Sequence, residues 1–198
     1  MKLSQILHLT LIGSILIFSL TLIGKGTYMQ AKAHFAQYLI MQAWEQTLED
    51  SQPHKPWSWA DTYPVSKMTF IAEGEESTSQ RVLYVLAGAS GRNLAFGPAE
   101  LDINSQKRGG NRVIAGHNDT HFSILSGVKT GRQIRLQDAS GNEQLYRVTE
   151  TLVVHESDTR VLEPSNDKLL TLITCYPFNS LEVGGALRLV VKAEAVIG

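Results

Sequence analysis

Cysteine is almost absent from this chain: Cys175 is the one such residue in 198. A lone thiol forms no internal disulfide, and zinc frameworks built on several cysteines are excluded by count. An excess of charge of either sign is missing too. Eighteen Lys and Arg stand against nineteen Asp and Glu, a formal charge of -1, so no global field draws the chain to phosphate backbones and nucleic acid is not an expected partner. There is no internal repeat and no low-complexity segment, and 43% hydrophobic against 19% charged residues describe a globular chain. One ordinary domain plus a tail fits the length, and a folded part of about 150 residues buries enough surface to stand without staples.

What is present begins with an apolar run. From Leu3 to Gly24 no Asp, Glu, Lys or Arg occurs, and Ile6 to Ile23 is mostly Leu and Ile. Roughly twenty such residues cross a bilayer as a helix. A signal peptide competes with that reading, but the run is long for one, and the small residues Ala31 and Ala33 lie well past it. Residues 1–26 therefore read as an uncleaved single-pass anchor in the cytoplasmic (inner) membrane, with the bulk of the chain extracytoplasmic. Tyr28, Ala31, Phe35, Tyr38, Leu39, Met41, Ala43, Trp44 and Leu48 recur at helical spacing, which predicts an amphipathic stalk helix. Pro53, Pro56 and Pro64 interrupt any continuation, so 27–63 is expected to be stalk and linker and 64–198 the domain.

After Pro64 the pattern turns to two-residue alternation and short β-rich runs bounded by turn residues. Expected strands are 67–72, 81–86, 111–117, 133–137, 144–155, 168–175 and 186–193. The fold class is mainly β, a barrel of seven or eight strands, with long connections at 90–110, 156–167 and 176–185 where ligands usually bind. Turn residues occupy the breaks, at Gly88 to Gly91, Gly109 and Gly110, Ser140 and Gly141, and Gly184 and Gly185.

Cys175 closes the apolar strand Leu169-Leu170-Thr171-Leu172-Ile173-Thr174-Cys175 and is followed by Tyr176-Pro177, so the thiol is expected at a strand exit. Taken alone it is better explained as a small buried hydrophobe. A second strand, Val113-Ile114-Ala115, ends in Gly116-His117. An imidazole beside a thiol can pair with a thiolate and later protonate a leaving amine, the two duties of cysteine acyl transfer. His121 lies four residues on, which admits metal binding, although the intervening segment reads as a turn and no HExxH glutamate is present. Arg188 sits inside the β run Ala186 to Val191. It is either an edge-strand cation facing water or, if a hairpin pairs this run with the Cys175 strand, a fixed charge facing the thiol.

These segments resemble the sortases. Thr171-Leu172-Ile173-Thr174-Cys175 is similar to their TLxTC signature, and Ala115-Gly116-His117 with Arg188 matches their histidine and arginine in order and strand. The Gly110 to His117 approach, the Gly131-Arg132-Gln133-Ile134 turn and Leu170 to Phe178 resemble class C and class D members. Asn118 departs from the arginine many of these carry after the histidine. The compact length and N-terminal anchor resemble sortases of Gram-negative bacteria. The resemblance implies an eight-stranded sortase-type barrel with short helices and a catalytic set of Cys175 nucleophile, His117 proton-transfer partner and Arg188 carbonyl stabiliser. It further implies Thr174 as a substrate-binding residue, the 156–167 loop as a groove wall, and no cofactor; from the residues themselves no metal is expected at the weak His117 and His121 pair, while a Ca²⁺ site is left open. The implied partners are a secreted protein bearing a C-terminal LPxTG-like sorting signal and an amine acceptor in the cell envelope. Competing readings are an L,D-transpeptidase, disfavoured because Tyr176 rather than arginine follows Cys175, and a tethered β-barrel binding module with an inert thiol.

Overall fold

The computed structural model describes residues 3–71, 80–101, 110–179 and 185–196. The expected strand end at Ala72 and the turn residues Gly109 and Gly184 lie outside them. The chain divides into two compact units, Met1–Tyr38 and Leu39–Gly198.

Helix α1 (Leu3–Asp50) makes up the described part of the first unit and runs on into the second. In the first unit Ile12, Leu16, Ile17, Phe18 and Leu20 are each more than half exposed, so the helix is apolar all round, as a lipid-facing helix is. Its hydroxyls are turned back onto the backbone: Ser14 Oγ donates to Thr10 O at 2.8 Å and Thr21 Oγ1 to Ile17 O at 2.8 Å. That satisfies them without water. By length and composition this helix qualifies to cross a membrane.

Within the second unit the last turns of α1 bury Ile40, Ala43, Trp44 and Thr47, spaced three and four apart so that they form one stripe. Ile40 packs with Leu86 and Ala99, edged by Trp57, Tyr84 and Phe96. The second compact unit begins at Leu39. The helix end is part of the domain, whereas Tyr28, Phe35 and Tyr38 of the expected stripe are 66%, 60% and 48% exposed. Ser51, at φ 58°, ends the helix by donating its N–H to Thr47 O at 2.8 Å.

The barrel strands are β1 (Pro64–Phe70), β2 (Arg81–Ala87), β3 (Ala99–Glu100), β4 (Asn111–Ala115), β5 (Gln133–Asp138), β6 (Glu143–His155), β7 (Leu169–Tyr176) and β8 (Leu187–Ala195). They close in the order β1-β2-β3-β4-β7-β8-β6-β5. Seven of these fall where alternation places them. The eighth, β3, has two residues, too short for any periodicity, yet it closes the barrel by pairing parallel to β2 and antiparallel to β4. Met68, Phe70, Val85, Ile114, Phe122, Leu170, Leu172 and Val191 fill the interior. The β5–β6 turn is fixed locally: Asp138 Oδ1 accepts from the N–H groups of Ser140 and Asn142 at 2.9 Å, and Gly141 takes φ 82°. Glu100 is fully buried and held by Arg112, Nε to Oε1 at 3.2 Å and Nη2 to Oε2 at 2.7 Å, the paired state a buried carboxylate requires.

β4 and β7 pair in parallel, Val113 with Thr171 and Ala115 with Ile173, so both strands leave the barrel at the same end. β7 and β8 pair antiparallel. Because Trp44 fills the space beneath the helix end with 1% exposure, Trp44→Ala should lower stability by about 3–5 kcal/mol, read as a shift of the urea midpoint at unchanged slope.

Candidate active site

The alternation of β7 sends Leu170 and Leu172 into the core and leaves Thr171, Ile173 and Cys175 on the outer face. Cys175 is partly exposed. Its antiparallel partner is Arg188, with Ile173 opposite Val190 one step inward, and cross-strand partners share a face about 5 Å apart. Arg188 in turn faces Val154, and Val190 faces Leu152, across β6. One outer face therefore carries the thiol, the guanidinium and an apolar floor.

His117 lies two residues beyond Ala115 as Cys175 lies two beyond Ile173, on the neighbouring strand. The imidazole is exposed, and its segment is tied to the Cys175 segment at three points. Gly116 N–H donates to Ile173 O at 3.1 Å. Thr174 Oγ1 donates to Gly116 O at 2.7 Å and Asn118 Nδ2 to Pro177 O at 3.2 Å. The last two ties bracket both residues: one joins 116 to 174 and the other joins 118 to 177. Gly116 is required at its position, since a Cβ there would meet the Phe122 ring at 2.8 Å. Phe122 is itself fully buried and donates its N–H to His117 O at 2.9 Å.

Thr174, expected to bind substrate, is 2% exposed and its hydroxyl is committed to Gly116 O. It sits on the core side of β7, the face opposite Cys175, because adjacent strand residues point opposite ways. What it does in this geometry is join the two strand exits.

The Arg188 side chain is 24% exposed, and its guanidinium is occupied by Glu156 just past β6 and by carbonyls at the start of β8. Nη2 donates to Glu156 Oε2 at 2.6 Å, and Nη1 donates to Gly185 O at 2.5 Å and Leu187 O at 2.9 Å. Glu156, which follows β6 and reads from sequence only as the start of a loop, is thus the partner that fixes the cation. Nearby, a cavity of about 290 Å³ is lined by Leu152, Val154, Asp158, Arg160, Val161 and Lys192. It lies between that apolar floor and the 3₁₀ turn Thr159–Leu162. A larger cavity of about 440 Å³, bordered by Gly110, Arg112, Tyr146 and Lys168, opens at the opposite end, where β4 and β7 begin.

His121 begins the 3₁₀ turn His121–Leu125. Burial, then the charges of Arg81 and His117, pull its pKa below the ordinary histidine value. Among the described residues no three His, Cys, Asp or Glu side chains group so as to hold a metal ion. The neutral form of His121 is the one the fold accommodates, so the unfolded chain binds a proton that the native state resists. Stability should fall as pH drops below about 6.5, the ordinary histidine pKa. His121→Gln should reduce this loss, measured as the difference in urea unfolding free energy between pH 7 and pH 5.

A closed eight-stranded barrel with a solvent-reachable thiol, a cross-strand guanidinium and a neighbouring imidazole at one rim defines a thiol-bearing β-barrel class. The sequence model of the sortase domain matches residues 77–196. The Bacillus subtilis protein YwpE, whose name assigns it to the sortases, is 40% identical over 96 residues, 46% of this chain and 89% of its own length. Sortase A of Listeria monocytogenes is 35% identical over 97 residues, 47% of this chain, and the match spans 43% of that protein's own length. The solved structure of Listeria monocytogenes sortase A superposes with a TM-score of 0.55 at 26% identity, covering 68% of this chain and 88% of that one. The chain belongs to the sortase family, whose members are transpeptidases.

Proposed function

We propose that this protein is a cysteine transpeptidase that cleaves an LPxTG-like sorting signal through a thioester on Cys175 and passes the acyl group to an amine in the cell envelope. The observation that carries the reading is the register of three adjacent strands. Ala115 opposite Ile173 and Cys175 opposite Arg188 bring one thiol, one imidazole and one guanidinium to the same rim.

In this reading the Cys175 thiolate attacks the carbonyl carbon of the signal's threonine, forming the S–C bond. Arg188 donates to the carbonyl oxygen as negative charge develops there. The peptide C–N bond then breaks, and protonated His117 gives its proton to the departing glycine amine. In the second half an amine attacks the thioester, neutral His117 takes the amine's proton, the new C–N bond forms and the thiolate leaves. Water in place of the amine gives hydrolysis. Glu156 holds the guanidinium on the β8 side of the thiol, so Arg188 meets the carbonyl from a fixed position and not as a freely rotating cation. Thr174 and Asn118 serve by keeping the two strand exits together.

The secreted substrate and the envelope amine both lie outside the cytoplasm, which is where this reading puts the barrel. The apolar helix crosses the cytoplasmic membrane once. Its support is the uncharged run from Leu3 to Gly24 and the length of the helix.

Intact-protein mass spectrometry with an LPxTG-like peptide tests the mechanism. The expected outcome is an acyl adduct on the wild type and none on Cys175→Ala. His117→Ala should nearly abolish turnover, and Arg188→Lys should lower kcat by about 100-fold, because an ammonium cannot reproduce the guanidinium fork. A thiol that alkylates normally but takes no adduct from such peptides would refute the reading.

A further inference from the structure

Asn111 opens β4 at the end of the strand away from His117. Its side chain is 6% exposed and bonded on both sides. Nδ2 donates to Val161 O at 3.3 Å and to Glu163 O at 3.0 Å, while Oδ1 accepts from Thr171 Oγ1 at 2.7 Å. Thr171 is 1% exposed and lies four residues before Cys175, roughly 13 Å along the strand. Neither residue is within reach of the reacting atoms.

The two carbonyls that Asn111 holds belong to the segment between β6 and β7. The 3₁₀ turn of that segment, Thr159–Leu162, buries none of its residues, so it has little apolar anchorage of its own. Arg160 and Asp158 bond to each other within the turn, which shapes it but ties it to nothing. Before the turn the segment is tied to β8 by Glu156, whose N–H donates to Ala186 O at 2.7 Å and whose carboxylate pairs with Arg188; after it, the ties to the barrel are Asn111 and Gly110, whose N–H donates to Ser165 O at 2.5 Å. Val161 of this turn lines the 290 Å³ cavity with Leu152 and Val154, on the face that carries Cys175 and Arg188.

We infer that Asn111, oriented by Thr171, is a positioning residue that fixes the 3₁₀ turn as the wall of the peptide groove and so governs substrate affinity without entering the chemistry. The inference rests on the sorting-signal reading above. A buried amide suits this role because it offers two donors in a fixed plane to two carbonyls, and its own oxygen is held by a hydroxyl that cannot reorient. The first threonine of the Thr171-Leu172-Ile173-Thr174-Cys175 motif thereby gains a role distinct from that of Thr174, which ties the His117 exit.

Three variants test this. Thr171→Val removes the hydroxyl at constant shape, Asn111→Asp removes both donors at constant shape, and Thr171→Ser keeps the hydroxyl. The first two should raise KM for an LPxTG-like peptide about tenfold with kcat within about twofold, and Thr171→Ser should restore KM. Amide hydrogen exchange over 156–167 should quicken in Thr171→Val and Asn111→Asp while exchange in β7 and β8 holds. Alkylation of Cys175 by iodoacetamide should keep its wild-type rate. Unchanged exchange overturns the tie. Faster exchange at unchanged KM overturns the link to affinity, and a joint fall of kcat and alkylation rate overturns the separation from chemistry. If the wild type forms no acyl-enzyme with such peptides, the sorting-signal reading fails by itself and the exchange measurement still decides the tie.

Discussion

Two neighbouring strands that run in the same direction must leave a barrel at the same end, and the parallel pairing of β4 with β7 is the constraint on which the rest depends. Residues 116–168 lie between the two strands, and that whole stretch, β5 and β6 included, is the crossover that parallel pairing demands. Once the register is set, the residues two beyond Ala115 and two beyond Ile173 become neighbours. The antiparallel return through β8 adds a third side chain by direct opposition. No long-range coincidence of loops is needed.

Charge is distributed by the same sheet. Each partly buried guanidinium in β4 and β8 has a carboxylate on or just beyond a neighbouring strand. Arg112 has Glu100 on β3, and Arg188 has Glu156 just past β6. The first pair is nearly dry and stabilises by avoiding an isolated buried charge. The second is half open to solvent, contributes little to stability, and acts chiefly by choosing where a flexible cation spends its time.

Much of this architecture is legible in the amino-acid pattern. Strand after strand follows alternation because one face of each is buried. The opposition of Cys175 and Arg188 follows from parity along a hairpin: each is flanked by alternating apolar residues that fix which face it takes. The burial of Ile40, Ala43, Trp44 and Thr47 is legible as spacing, but spacing does not say which elements they meet. β3 is not legible, since its two residues carry no period. Thr174 is adjacent to Cys175 in sequence, but a period of two puts immediate neighbours on opposite faces, and the hydroxyl's bond to Gly116 O joins segments 58 residues apart that no local pattern connects. Asn111 and Glu156 are invisible for the same reason: their partners lie 50 and 32 residues away, and polar residues at strand ends look alike whether they face water or another loop.

Gly116 and the Phe122 ring leave no room between them. The imidazole's backbone therefore rests directly on a plug of the hydrophobic interior, without a mobile layer between rim and core. A repacking that swells or shrinks the volume around Phe122 would be felt at His117 as a displacement of its main chain. In such a barrel, tolerance to change inside the core is limited by the alignment required at the surface, and drift of interior side chains becomes a way to detune the rim without touching any residue on it.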